Sequence, residues 1–172
     1  MPHRAAIAVG PKAAGKTTFC KKFVAVRNDV ILECLADTLT GDGIFWRSLA
    51  QTLSKFPQDA RVLLDCSTRP EDLPEIVTKF RAVGICTVEA WNFITPEHVC
   101  ARWFLERYNE STSKLTDARD RRWSSLMMPI AVEAQHKSYK AYASTPVSLA
   151  QGFSKIHAVD PQRPPLYRSL LF

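Results

Sequence analysis

The sequence predicts an α/β fold, with helices on both faces of a mainly parallel sheet of about five strands. Two observations predict this fold. Strand-like and helical patterns alternate along the 172 residues, and a glycine-containing turn at 10–17 joins a short apolar run to a helix. No apolar run reaches the ~18 residues of a membrane span, so no membrane partner is expected. A single domain covering 1–172 is predicted, with a proline-rich tail at 161–172.

The elements follow one another in order along the chain. The predicted strands are apolar or alternating runs at 5–10, 29–35, 60–66, 85–93 and 153–159. The predicted helices lie between them, at 15–26, 42–56, 70–83, 95–109 and 129–143. Within the second helix, Ile44, Leu49 and Leu53 are expected to face the core.

Proline and threonine mark the expected starts of three helices. Pro70 and Pro129 are each predicted to open one, because the first turn of a helix does not use the N–H that proline lacks. Thr95 precedes Pro96 and is predicted to cap the fourth helix. The polar, arginine-rich segment at 110–128 lies between two predicted helices and is expected to form a lid.

The turn at 10–17 has the sequence G-P-K-A-A-G-K-T and matches G-x-x-x-x-G-K-[ST], the motif of the phosphate-binding P-loop. Its glycines let backbone N–H groups converge on one anion, and the helix that follows adds its positive N-terminal end. Lys16 can reach the β- and γ-phosphates of a nucleotide, and Thr17 can offer its hydroxyl to Mg²⁺. The prediction is a three-layer sandwich of P-loop NTPase type that binds ATP, or another nucleoside triphosphate, with Mg²⁺. The nucleotide contacts are expected from Gly10, Ala13, Ala14, Gly15, Lys16, Thr17 and Thr18, with Arg122 added from the lid.

Two carboxylates are expected at the edge of the sheet that carries the P-loop, since parallel strands end at the same edge. Asp65 ends the third strand and is predicted to bind Mg²⁺ or its waters, or to contact the acceptor; a purely structural carboxylate is the alternative. Asp37 follows the second strand and is the best-placed group to accept the proton of an attacking hydroxyl. Capping of the next helix suits Asp42 better.

Positive charge collects around the predicted lid, at Arg102, Arg107, Arg119, Arg121 and Arg122. Arginine can stabilise the charge that develops on a transferred phosphoryl group, and Arg102 and Arg119 are the candidates for this role. Solvated surface arginines are the alternative for part of this set. Aromatic side chains, Trp103 and Trp123 among them, are interleaved with these charges and would either stack on nucleobases or pack in the core.

The overall composition adds two expectations. The net charge of +6 suits a protein that handles polyanions, although a basic surface without such a partner would show it too. The five cysteines are scattered, with no C-x-x-C pair, which predicts buried thiols in a reducing, cytoplasmic setting and no structural zinc.

With these features in place, the chain resembles the polynucleotide kinase family, P-loop enzymes that phosphorylate 5′-hydroxyl ends of DNA or RNA. The resemblance extends to about residue 160. It rests on G-P-K-A-A-G-K-T-T-F from residue 10, D-T-L at 37–39 and L-L-D at 63–65. It continues in M-P-I-A-V-E-A-Q-H-K-S-Y at 128–139 and in L-A-Q-G-F-S at 149–154.

The resemblance implies roles for individual residues. Lys16 and Thr17 would hold ATP and Mg²⁺, Asp37 would be the general base, and Asp65 would lie on the acceptor side. An arginine of the 102–122 region would assist the transferred phosphate. The chain departs from the family at Ala36, where an arginine is usual, and at C-S-T-R (66–69), where an Asn-Thr-Asn type of segment is usual. Both departures fall at the expected acceptor site, and Arg69 is a candidate substrate contact there.

The predicted function is ATP-dependent phosphorylation of a nucleic acid hydroxyl, with DNA as the expected partner. That hydroxyl is either a 5′ end or a hydroxymethyl group on a pyrimidine such as 5-hydroxymethyluracil, as in phage-type DNA kinases. The second acceptor requires the base to leave the stack. Two alternatives stay open: a kinase for a nucleoside, nucleotide, sugar or antibiotic, since the fold does not set the acceptor, and a non-catalytic nucleotide-binding module.

Overall fold

The structure is a computed structural model that describes residues 3–27, 29–35, 43–55 and 61–163. Its strands are β1 (His3–Val9), β2 (Val30–Leu35), β3 (Arg61–Cys66), β4 (Ile85–Phe93) and β5 (Lys155–Val159). Its α-helices are α1 (Lys16–Ala25), α2 (Gly43–Leu53), α3 (Leu73–Ala82), α4 (Glu97–Ser113) and α5 (Ala118–Ser144). Single 3₁₀ turns lie at Pro70–Asp72 and Leu149–Gln151. None of the described helices is long and apolar enough to cross a membrane.

The five strands form one parallel sheet in the order β2-β3-β1-β4-β5. The central strand, β1, alternates its side chains between two apolar layers. Ala5, Ile7 and Val9 pack in the layer built with α2 and α3, whereas Ala6 and Ala8 pack in the layer built with α1. The predicted three-layer α/β sandwich is therefore confirmed, and the loop after β1 opens at the middle of the sheet's carboxyl edge.

The same alternation in β3 decides which way its acidic residue faces. Val62 and Leu64 pack in the layer with α2 and α3, and Leu63 packs in the layer with α1. Asp65 is two residues after Leu63, so it shares that face of the sheet. It therefore faces α1, whose first residue is Lys16.

Most predicted boundaries agree with the structure to within a few residues, and β4 agrees at both ends. Among the expected core residues of α2, Leu49 and Leu53 are buried, but Ile44 is 67% exposed. Leu49 is five positions after Ile44 in the helix, a spacing that turns the two side chains to different faces. The prediction that Ile44 faces the core was wrong for this reason.

The largest correction concerns α5, which begins at Ala118 and runs through Pro129 rather than starting there. Asp117 caps it, with Oδ1 accepting from the N–H groups of Arg119 at 2.7 Å and Asp120 at 3.3 Å. Proline inside a helix removes one backbone hydrogen bond, and Pro129 lies where the helix is exposed, so water can bond the freed carbonyl. The predicted lid is thus the meeting end of two long helices, which we call the α4–α5 hairpin (residues 97–144).

Candidate active site

The loop between β1 and α1, which carries the P-loop motif of the sequence, has an unusual backbone. Gly10, Ala13 and Gly15 have φ angles of 143°, 62° and 87°, values that most side chains disfavour. A Cβ at Gly15 would lie 3.1 Å from Cζ3 of Trp103 and 3.3 Å from the ring of Pro161. Glycine is therefore required at position 15 both for its backbone and for the close approach of its neighbours.

Two hydroxyl groups hold this loop from neighbouring elements. Thr95, which is 2% exposed, donates from Oγ1 to the carbonyl of Ala14 at 2.8 Å. From α5, Oγ of Ser138 accepts the N–H of Lys12 at 3.0 Å. The predicted capping role of Thr95 was wrong, because Pro96 occupies the N-cap position of α4 and no side chain caps that helix. The sequence Thr-Pro is the same whether the threonine caps the helix or bonds a neighbouring loop.

Lys16 is buried at the mouth of the loop, with 6% of its surface exposed. Its Nζ donates to the carbonyls of Gly10 at 2.7 Å and Pro11 at 2.8 Å. Burial lowers the pKa of Lys16, and the negative charge of Asp65 acts in the opposite direction. An ammonium group has three N–H donors, so these two bonds leave one for a phosphate oxygen.

Asp65 is also buried, at 7% exposure, and its Oδ1 has no hydrogen-bond partner among the described residues. A buried carboxylate oxygen without a partner is uncommon and calls for a cation or water in the complete site. Thr17, at the first turn of α1, adds a hydroxyl to the same loop. Oxygen ligands of this kind, completed by waters and phosphates, are what Mg²⁺ prefers, so these residues fit the predicted ion. Within the described ranges, no group of three or more His, Cys, Asp or Glu side chains forms a metal cluster.

Two adjoining pockets lie on the α4 side of the loop. One, of 430 Å³, is lined by Lys12, Ala13, Ala14, Gly15, Lys16, Thr17, Thr18, Ser67, Phe104 and Arg107. The other, of 540 Å³, shares Ala13, Gly15 and Thr18 with it and extends to Trp103 and Pro161. An anion-binding loop that continues into a space beside an indole ring has the shape and chemistry for phosphates followed by a nucleobase.

A third pocket, of 280 Å³, lies on the other side of Lys16, between the end of β3 and the C-terminal half of α5. It is lined by Gly10, Lys12, Lys16, Ser67, Thr68, Arg69, Pro70, Ala134, Lys137, Ser138, Ala141 and Tyr142. Tyr142 joins the two walls, donating from its hydroxyl to the carbonyl of Thr68 at 2.9 Å. Arg69, the predicted substrate contact, is in this pocket and bonds Asp72 through Nε at 3.2 Å. We call this space the acceptor-side pocket.

The predicted arginines are distributed over three places. Arg107 lines both pockets on the α4 side. Arg102 is exposed and pairs with Glu106 at 3.9 Å, whereas Arg119 and Arg122 line a separate pocket at the start of α5. Sequence reasoning favoured Arg102 over Arg107. The four-residue spacing of Arg107 from Trp103, which puts both on one face of α4, was the available signal. The catalytic and nucleotide-binding roles of Arg102, Arg119 and Arg122 stay predictions.

Asp37, the predicted general base, lies outside the described residues. The strand before it, β2, ends at Leu35, whose backbone pairs with that of Cys66 at the end of β3. The assignment of Asp37 as base therefore stays a prediction from the sequence.

Comparison with known proteins bears on the fold. No protein-family model matches the sequence, and no curated protein matches it. Among solved structures, the crystal structure of a fungal RNA kinase is similar, with a TM-score of 0.57 and 13% identity. The match covers 93% of this chain, which spans 39% of the length of the other. The similarity shows a shared fold, and membership of the polynucleotide kinase family stays a prediction.

Proposed function

We propose that this protein is an ATP-dependent kinase that transfers the γ-phosphate to a hydroxyl group of a nucleic acid. The observation that carries the proposal is the pair of buried, opposite charges at the P-loop, Lys16 and Asp65, each less than a tenth exposed. A buried carboxylate with an unpartnered oxygen beside a phosphate-binding lysine is costly for a structural role alone. Such a carboxylate has a function where a cation and a phosphate bind side by side.

The residues divide the work of phosphoryl transfer among them. Lys16 and the N-terminal end of α1 would stabilise negative charge on the phosphates, and Thr17 and Asp65 would hold Mg²⁺. The ion supplies charge neutralisation on the phosphate oxygens when bound. The acceptor oxygen forms a bond to the γ-phosphorus, the bond from that phosphorus to the bridging oxygen breaks, and Asp37 takes the acceptor's proton.

Three features support a nucleic acid as the acceptor. The acceptor-side pocket is lined by Arg69 and Lys137 in addition to Lys16, which suits an anionic substrate. The chain carries a net charge of +6. A solved protein of similar fold is described as an RNA kinase. The two acceptors under consideration are a 5′-hydroxyl end and a hydroxymethyl group on a pyrimidine base.

A transfer assay with labelled γ-phosphate tests the proposal. The acceptors are 5′-hydroxyl DNA, 5′-hydroxyl RNA, duplex DNA containing 5-hydroxymethyluracil, and free nucleosides. We expect label on a polynucleotide, with digestion to nucleotides showing whether it sits at the 5′ carbon or on a base. Label on free nucleosides alone would replace the proposal by a small-molecule kinase, and Lys16→Met is the control for contaminating activity.

The role of Asp37 has its own test. Asp37→Asn keeps the size of the side chain and removes its ability to take a proton. We expect it to lower transfer by about 100- to 10,000-fold while ATP binding is kept. A variant that transfers phosphate at the normal rate would remove Asp37 from the mechanism.

A further inference from the structure

One face of α5 is exposed along the helix and leads into the acceptor-side pocket. Its residues recur at spacings of three and four, which puts them in one stripe along the helix. They are Arg119, Arg122, Trp123, Leu126, Ile130, Glu133, Ala134 and Lys137, and Glu133 pairs with Lys137 at 2.7 Å. All eight are exposed, and Trp123, Leu126 and Ile130 are among the most exposed large apolar side chains of the described residues. We call this set the α5 stripe.

The stripe and the acceptor-side pocket are continuous. Ala134 and Lys137 belong to both, and Lys16 of the P-loop lines the same pocket. At the other end, a pocket of 590 Å³ is lined by Arg119, Asp120, Arg122, Trp123 and Leu126. From Arg119 to Lys137 the helix rises by about 27 Å, at 1.5 Å for each residue. A long molecule with its reacting end beside Lys16 could therefore bind along the α5 stripe with the rest of its length.

The chemistry of the stripe indicates what that molecule is. Trp123 is 64% exposed and offers a flat ring to a base, and Leu126 and Ile130 extend the apolar surface at 63% and 57% exposure. Arg119 and Arg122 supply cations on the same side of the helix, next to that ring. An exposed ring with cations beside it is a combination with which proteins bind single strands, through stacking on bases and attraction to phosphates.

We propose that the α5 stripe is a binding track for the acceptor strand, a single-stranded nucleic acid that runs from the acceptor-side pocket towards Trp123. This inference rests on the proposed function and deepens it, because it makes the acceptor a strand of several nucleotides. At the stacked rise of about 3.4 Å for each nucleotide, the stripe accommodates about eight of them. A second copy of this chain is the alternative occupant, and the measurement of mass by light scattering below tests it.

Length dependence and a matched pair of arginines provide the test. Binding is measured by fluorescence anisotropy with labelled single strands of about 2, 4, 8 and 16 nucleotides, and KM is measured for the same strands with free 5′-hydroxyl ends. Arg121 and Arg122 are neighbours on α5, both exposed, and the helix turns Arg121 to a different face from the stripe. Arg122→Ala and Trp123→Ala remove the track, and Arg121→Ala is the control of equal charge change.

We expect Kd and KM of the wild-type protein to fall with strand length up to about eight nucleotides and then to level off. Trp123→Ala should weaken binding of the longer strands about tenfold and should remove most of the advantage of length. Arg122→Ala should reduce the slope of log Kd against log salt concentration by about 0.7. Arg121→Ala should leave that slope unchanged. All three positions are on the surface, so each variant should keep the wild-type circular dichroism spectrum.

The binding-track proposal would be overturned if affinity did not change with strand length. It would also be overturned if Arg121→Ala and Arg122→Ala changed the salt dependence equally. A doubled mass by light scattering that Trp123→Ala restores to a monomer would overturn it too, because the stripe would then join two copies of the chain. The two proposals fail separately. Phosphate transfer without length or arginine effects removes only the track. Length and arginine effects in binding without transfer to any strand remove only the kinase.

Discussion

The P-loop end of the sheet and the α4–α5 hairpin are stabilised in different ways. At the P-loop end, the residues of β1 from Ala5 to Val9 are fully buried, and the charges of Lys16 and Asp65 are buried with them. In the hairpin, α5 has 27 residues and only Gln135 is buried. Single changes at the loop should therefore alter the rate of phosphate transfer, because charges there act in a low dielectric. Single changes on the hairpin should alter stability or acceptor binding by smaller amounts.

The largest effect is expected for Lys16→Met, which keeps the buried stem and removes the charge. Transfer should fall by about 100- to 1,000-fold, as when one preorganised donor to developing charge is removed. The melting temperature should fall as well, because the carbonyls of Gly10 and Pro11 lose a buried donor, so activity is compared at a temperature where a thermal melt shows the variant folded. The exposed neighbour Lys21→Met is the control and should keep full activity. Phosphate transfer at the normal rate by Lys16→Met would show that this end of the sheet is not the site of transfer.

Asp65→Asn should separate chemistry from stability. Removing the carboxylate should lower transfer by about 100-fold and raise the Mg²⁺ concentration needed for half-maximal activity. The free energy of unfolding should change by about 1 kcal/mol or less, because relief of the unpartnered buried oxygen is offset by the loss of a negative charge near Lys16. A loss of activity that is explained by unfolding, seen in a thermal melt, would make Asp65 structural instead.

Thr95→Val tests whether the loop depends on its anchor from the end of β4. The variant removes the hydrogen bond to the carbonyl of Ala14 and leaves that carbonyl unpaired, at a cost of about 1–3 kcal/mol. ATP affinity, measured by calorimetry, should fall by about tenfold because the loop is less well held. Thr78→Val removes a bond of similar length, to the carbonyl of Pro74 on the exposed side of α3, and should leave ATP affinity unchanged.

The smallest effect is expected within the hairpin, for Tyr108→Phe. The hydroxyl of Tyr108 donates to the carbonyl of Ser124 at 2.6 Å, which joins α4 to α5. Its loss should cost about 1 kcal/mol and lower the melting temperature by about 2–4 °C. Ser111→Ala, which removes a bond within α4 itself, should cost less. A cooperative loss of structure in Tyr108→Phe would show that the hairpin is stabilised as tightly as the loop.

Part of this molecule could be predicted because its signals are local. The P-loop is a strand, a turn and a helix that are contiguous in sequence, and β4 has apolar runs with turn residues on both sides. The start of α5 was missed for a local reason as well. Asp117 and Pro129 are both start signals, and the sequence does not say which of them begins the helix.

The arrangement of the site depended on contacts between distant parts of the chain. Thr95 meets Ala14 across 81 positions of sequence, and Ser138 meets Lys12 across 126. The choice of Arg107 over Arg102 at the pockets depends on how α4 is rotated against the loop, which is set by packing at Val99 and Cys100. The two hydrogen bonds leave no pattern in the residues around them, and the signal for Arg107 was only its four-residue spacing from Trp103.

The sequence by itself determined the P-loop, the strand that precedes it and the parallel sheet around it, since each follows from neighbouring residues and their periodicity. Only the tertiary structure decided what surrounds that loop. It placed Asp65 on the face of α1, Thr95 under the loop, and Trp103 beside Gly15. It also left one face of α5 uncovered. The physical reason is that backbone preferences act over a few residues, whereas burial and pairing depend on which elements pack together.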